Sequence, residues 1–242
     1  MGCSRNPSSS SSIFTKLATK PPTNPFSSLT LKPKSTSNHR ICLCSTFSSE
    51  QQQSIKTTLY SVKFKTLGDC KLGIARYPDF VYDAEGGLGT GTGTITDTAT
   101  KEISVSFDLK TLYIPPLNSA TTRFLGLPLP PFLKIAIEPQ LLQGSINEET
   151  GKVDLKFKSK FWFSVGSIYE APPLVVETNL TSEDSIGTMR RGRGEKLNRE
   201  GKCKLVGVAK VDPIDDVFMN TFLGLPTECL AVLNATIYIS TS

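Results

Sequence analysis

Residues 152–165 read KVDLKFKSKFWFSV. Val153, Leu155 and Phe157 fall on one side of an extended chain and Lys156, Lys158 and Lys160 on the other, because successive side chains of a strand point to opposite faces. One face of this segment therefore seeks a core and the other seeks water. The residues before it, Asn147-Glu-Glu-Thr-Gly151, form a turn in which Gly151 suits a positive φ. The segment reads as the second arm of a hairpin, and a half-wet sheet is the expected fold.

The same period runs outward from it. Tyr60, Val62 and Phe64 alternate with Ser61, Lys63 and Lys65; Ile103, Val105, Phe107 and Leu109 alternate with Ser104, Ser106 and Asp108. Further strands are expected at 79–83, 132–137, 140–146, 174–181, 203–211 and 229–239. Turn residues at 83–87, Pro115-Pro116, Pro130-Pro131, Pro172-Pro173 and 192–194 punctuate them. This spacing fits a mainly β antiparallel barrel or sandwich, a single domain over 55–242.

The phrase FLGLP occurs at 124–128 and again at 222–226. Asn118 stands before the first copy and Asp215-Asp216 before the second, where a two-turn helix would place a capping residue. Gly126 and Gly224 then fall where a left-handed residue closes a helix, and Pro128 and Pro226 prevent its continuation. The expectation is two short helices ending in FLGLP, each inside a strand–helix–strand unit. They would serve as lids over a barrel end or as covers of the core.

The first 49 residues hold no Asp or Glu, six Lys or Arg, 19 Ser or Thr and five Pro. Such a composition cannot bury enough apolar surface to offset chain entropy. A Ser-rich, basic, acid-free leader predicts a chloroplast transit peptide over 1–44, followed by a flexible leader at 45–54, and hence a stromal address. Asn6 stands where a myristoylation motif wants Ser or Thr. Without the leader, 27 − 6 = 21 bases face 22 acids, a net charge of −1. That balance argues against nucleic acid as a partner. The longest apolar run, 124–133, contains three prolines and is too short for a membrane-spanning helix.

His39, the only histidine, lies in the leader, so the remaining chain lacks the usual general base and zinc ligand. Cys70, Cys203 and Cys229 are far apart, without a C-x-x-C pair, and read as reduced core residues. No catalytic residue, metal ligand or cofactor is assigned. The acidic pairs Glu148-Glu149, Glu183-Asp184 and Asp215-Asp216 fit turns and a helix start better than acid–base work.

Two stretches suggest binding. GGLGTGTGTITDT, residues 86–98, puts Gly89, Gly91 and Gly93 on one side of a possible strand. The bare face is either a seat for a neighbouring ring or a backbone surface for a ligand, with Trp162 as an aromatic contact. Its glycine spacing does not match a dinucleotide fingerprint. GTMRRGRGEKLNREGKCK, residues 187–204, concentrates Arg190, Arg191 and Arg193 among glycines. Arginines so placed suit phosphate or carboxylate, or else form a solvated hairpin.

APPLVVETNLTSEDSIGTMRRGRG, residues 171–194, resembles the distal part of the plastid lipid-associated proteins, the fibrillins. The matching positions are Pro172, Pro173, Leu174, Thr178, Leu180, Glu183, Asp184 and Arg193-Gly194. The resemblance implies a lipocalin-like plastid barrel that handles hydrophobic small molecules at a membrane face. The expected function is therefore a stromal β-barrel binding a lipid, isoprenoid or pigment-like molecule near a thylakoid or envelope surface. The alternatives are a non-catalytic assembly factor for a photosynthetic complex and a barrel-type cyclase or isomerase.

Overall fold

The computed structural model describes residues 58–97 and 99–241, which fall in a compact unit spanning Gln53–Ser242. The expected transit peptide and most of the flexible leader lie outside the described residues. The chain is mainly β. In order come β1 (Leu59–Thr66), β2 (Cys70–Ile74), β3 (Phe80–Tyr82), β4 (Leu88–Asp97) and β5 (Glu102–Phe107). Next are β6 (Thr122–Phe124), β7 (Leu127–Pro128), β8 (Leu133–Asn147), β9 (Val153–Val165) and β10 (Tyr169–Glu170). Last come β11 (Leu174–Thr181), β12 (Asp184–Ile186), β13 (Arg191–Arg193), β14 (Lys202–Val211), the helix α1 (Val217–Leu223) and β15 (Thr227–Thr241).

Every pairing is antiparallel. Strands β1-β4-β5-β8-β9-β11-β14-β15 lie side by side, and β15 returns to β1, so eight strands make a closed ring. Closure pairs both sides of most ring strands, which limits the open edges that invite pairing with another chain, with β11 and β14 sharing one backbone pair. β15 is long enough to serve two partners on one side. Its first half pairs with β2, from Cys229↔Ile74 to Val232↔Lys71. Its second half pairs with β1, from Ala235↔Thr66 to Thr241↔Tyr60.

Asn234 stands at the fork, where its Nδ2 donates to the Gly68 and Asp69 carbonyls at 3.1 Å each. From there β2-β3-β6-β7 leave the ring as a side branch. A separate two-stranded sheet, β12-β13, has the register Asp184↔Arg193 to Ile186↔Arg191.

The expected hairpin arm is β9, with Val153, Leu155 and Phe163 buried inward. Inward side chains from around the ring, among them Val62, Phe64, Ile103, Phe107, Leu142, Leu155, Leu180, Leu205 and Ile237, form one packed cluster. Each such side chain contributes about 1.5–3 kcal/mol on burial, and at the centre Phe64 meets Phe107 edge-to-face at 5.9 Å.

Two expectations are corrected. The strands foreseen at 132–137 and 140–146 are one strand, β8, interrupted by a register shift between Pro139↔Ser159 and Leu141↔Lys158. Proline has no N–H to give to a ladder, so the strand bulges there instead of ending.

The first FLGLP does not end a helix. Asn118 Oδ1 accepts from the Ala120 and Thr121 amides at 2.8 and 3.1 Å, but the chain then enters β6 and turns back as β7, pairing Phe124↔Leu127. Leu125 (φ 51°) and Gly126 (φ 83°) make the two-residue turn, as in type I′ hairpins. The second copy does close a helix. Gly224 is left-handed (φ 63°, ψ 45°), with Gly224 N donating to Thr221 O at 3.3 Å and Leu225 N to Asn220 O at 2.9 Å, the double clasp of a Schellman ending. The strand–helix–strand unit therefore occurs only at the second copy.

Candidate functional site

The surface that draws the functional side chains together is one end of the ring, where both FLGLP phrases arrive. Helix α1 is capped by Asp216, whose Oδ1 accepts from Met219 N at 2.7 Å. It buries Met219 and Leu223 against Phe163, Leu174, Val176 and Val211. These anchors lie four residues apart and so share one face of the helix. Phe218 and Phe222, also four apart, stack on each other at 5.7 Å on the neighbouring face.

Tyr77 joins the two copies. Its ring lies 5.7 Å from Phe222 and 6.5 Å from Phe124, and its hydroxyl donates to Phe222 O at 2.7 Å. Phe124 stacks in turn on Phe80 at 4.7 Å. At the other end of the band Tyr169 meets Phe218 at 5.4 Å and donates to Asp216 Oδ2 at 2.7 Å. Burial and the Asp216 carboxylate push Tyr169 up to about 12, while the Met219 amide first and Tyr169 second hold Asp216 below its usual value. The result is a continuous aromatic band, Tyr169–Phe218–Phe222–Tyr77–Phe124–Phe80.

Aliphatic side chains stand exposed along the band's border. Leu125 and Leu127 are each 71 % exposed on the β6–β7 turn, Phe132 leads into β8, Ile168 is 91 % exposed after β9, and Val217 is 83 % exposed at the start of α1. The Phe132 and Ile168 segments touch, since Gly166 N donates to Phe132 O at 2.8 Å. Exposed apolar residues are ordinary when scattered, whereas contiguous groups mark interaction sites.

The residues singled out from sequence occupy other places. Gly89, Gly91 and Gly93 face inward on β4, opposite Phe64, Val62 and Tyr60 of β1. A Cβ there would lie 2.8 Å from Leu112 Cδ1, 2.5 Å from Ser106 O and 2.7 Å from Ile103 Cγ2. The bare face is thus taken by the ring's own core. Trp162 is on the outer face of β9, donating from Nε1 to Glu138 Oε2 at 2.9 Å.

The arginine hairpin is β12-β13, packed on the outside of β14 and β15, where a Cβ on Gly192 would lie 2.3 Å from Val206 Cγ2. Arg190 is used as a tie. Its Nε donates to Ala75 O at 3.0 Å, Nη1 to Asp79 Oδ1 at 2.6 Å, and Nη2 to Ile74 O at 3.2 Å and Tyr77 O at 2.5 Å. The loop that carries Tyr77 is thereby fastened to the ring. Glu228 holds the same turn from below, accepting from the Thr188, Met189 and Arg190 amides at 2.7, 2.7 and 3.0 Å. Those amides, Met189 foremost, pull its pKa down to about 2. Arg191 and Arg193 point to solvent. Gly89–Gly93, Trp162 and the arginines lie on β4, β9 and the β12-β13 sheet and form no common site.

Of the acidic pairs, Glu148, Glu149, Glu183, Asp184 and Asp215 are exposed and Asp216 is half-buried at the start of α1. An open polar groove of about 510 Å³, lined by Lys156, Glu177, Thr178, Asn179, Ser185 and Val208, follows the seam between β11 and β14, which share the single backbone pair Thr181↔Val206. Among the described residues no group of three or more His, Cys, Asp or Glu converges as a metal site. No helix there is long and apolar enough to cross a membrane.

Sequence reasoning missed Tyr77, Ile168 and Val217. Only the repeated FLGLP pointed towards their neighbourhood. Fold and site together define an antiparallel β protein with a closed eight-strand ring and an apolar end. No family model, curated protein or solved structure matches the chain.

Proposed function

We propose that this is a non-catalytic binding protein of the plastid that docks a hydrophobic partner on the apolar end of its ring, in the manner of an accessory or assembly factor. The observation that carries the reading is the unbroken aromatic band bordered by exposed Leu125, Leu127, Ile168 and Val217. Leaving such side chains in water costs free energy that only a partner recovers. The acid-free leader supports the plastid address.

The hydrophobic small molecule expected from sequence has its place, on this reading, under α1 rather than among the packed side chains at the ring centre. The supporting observation is that α1 covers an apolar cluster through Met219 and Leu223, so lifting it would uncover a greasy seat. The fibrillin-like phrase at 171–194 fits the same assignment, since Leu174 and Val176 line that cluster.

The test is photo-cross-linking in isolated chloroplasts, with a photoreactive residue at Val217 or Leu127 and a control at the outward Lys158. Adducts are expected at the first two positions and absent from the control. Equal yields at all three would remove the apolar end as the docking surface.

A further inference from the structure

The exposed residues at the apolar end carry two features that a face covered only by its own chain does not need. The first is their distribution. They project from four separate places: Leu125 and Leu127 from the β6–β7 turn, Phe132 from the approach to β8, Ile168 from the turn after β9, and Val217 and Phe218 from α1. A protein partner would have to match all of these protrusions with complementary pockets. A fluid apolar phase accommodates them without any matching shape. The second feature is Leu125. It has φ 51°, a left-handed conformation that disfavours a branched L side chain and suits Asn or Gly, and it is also 71 % exposed. Local propensity and burial both argue against leucine there, and such double conflicts concentrate at functional positions.

Charge names the phase. Residues 123–134, RFLGLPLPPFLK, carry a cation at each end and no carboxylate. Arg123 and Lys134 are exposed, as is Arg76 beside Tyr77. None of the three is in an ion pair among the described residues. On the α1 side Asp216 is occupied by the cap and by Tyr169, while Glu170, Asp212 and Asp215 are exposed, so the cationic border is the β3–β6–β8 side of this end. Cations bordering exposed apolar tips, with tyrosines behind them, match the depth order of a bilayer: acyl chains, interface, anionic headgroups.

We propose that the apolar end is a monotopic membrane-docking face, which seats its aliphatic tips in the interfacial layer of a lipid bilayer and sets Arg76, Arg123 and Lys134 against anionic headgroups. This rests on the reading of that end as a docking surface and names its partner.

The experiment is flotation of the full chain with vesicles of phosphatidylcholine alone and of phosphatidylcholine mixed with phosphatidylglycerol. The leader is common to every variant, so differences between variants report the tips. The chain is expected to float with both, and better with the anionic vesicles. Leu127→Ser/Ile168→Ser/Val217→Ser should weaken partition at least tenfold, as an order of magnitude for three interfacial aliphatics, with an unchanged melting temperature. Arg123→Gln/Lys134→Gln should remove roughly fivefold per cation on anionic vesicles and leave neutral ones unaffected. Leu125→Asn should raise the melting temperature while lowering partition, a pairing that a merely structural leucine would not show.

A chain that stays at the bottom of the gradient with both vesicles, or a triple variant that floats like the parent, overturns the membrane assignment. If rim cross-links to a protein persist in that case, the docking reading stands without the bilayer. If they vanish too, both fall.

Discussion

Arg190 shows how one side chain can govern a surface it does not belong to. It is 14 % exposed, and its guanidinium donates to three carbonyls and the Asp79 carboxylate. A planar fork reaches that many acceptors at once, whereas an ammonium cannot. Removing it strands the Ala75 and Tyr77 carbonyls, leaves Ile74 O with the Tyr77 amide alone, and frees the loop that holds Tyr77 between Phe124 and Phe222. Arg190→Ala should therefore cost about 3 kcal/mol in denaturant unfolding, and Arg190→Lys should recover little of it. A neutral lysine substitution would show the tie to be dispensable. The arginine cluster itself was visible in the sequence, but a row of arginines among glycines does not disclose which one is turned inward. That depended on residues 75–79, more than a hundred positions away, being folded beneath it.

At the scale of elements, one pentapeptide takes two structures. In the second FLGLP, Met219 sits three residues before Phe222 and is fully buried, so with Leu223 it gives the preceding turn an apolar face to bury. In the first copy the equivalent position is Thr121, followed by the β-branched Thr122. That stretch has no apolar anchor for a helix, and its branched residues favour extension. The edge of β3 supplies the partner, from Phe80↔Phe124 to Tyr82↔Thr122. Gly126 and Gly224 both have positive φ, so the glycine behaves alike in the two copies, while the expected helix precedes it only in the second.

The β12-β13 hairpin is an element held by charge. Glu228 has its pKa lowered from 4.5 to about 2 by the amides of residues 188–190. A carboxylate with a depressed folded pKa stabilises above its unfolded value and loses that contribution as pH falls through the folded one. The hairpin should thus hold firm above about pH 4.5 and loosen progressively towards pH 2. Amide exchange at residues 188–190, corrected for intrinsic rates, should speed up over that window, and Glu228→Gln should show the fast exchange already at pH 7. Uniform protection down to pH 2 would mean that Gly192 packing alone seats the hairpin.

For the whole molecule, folding buries the Cys70 and Cys203 thiols and half-buries that of Cys229 among the described residues. Burial pushes Cys203 up to about 12 and Cys229 to about 11, and raises Cys70 as well. All three are free. They should stay protonated through pH 8, and alkylation of Cys70 and Cys203 there, followed peptide by peptide, should proceed only at the rate of global unfolding, with half-buried Cys229 reacting sooner. Labelling of buried Cys70 as fast as Cys229 would reveal a local opening at β2.

Alternation along β1, β5, β9, β11 and β14 was legible from residue order because a strand's two faces are chosen by its nearest neighbours in the chain. The same holds for Gly224, whose left-handed turn is a local backbone matter. The closing of the ring, the fork at Asn234, the filling of the glycine face by Phe107 and Leu112, and the gathering of Tyr77, Phe124 and Phe222 at one end belong to the tertiary structure. Each of these depends on contacts between segments far apart in the chain, and no local preference encodes which distant side chain will arrive to complete them.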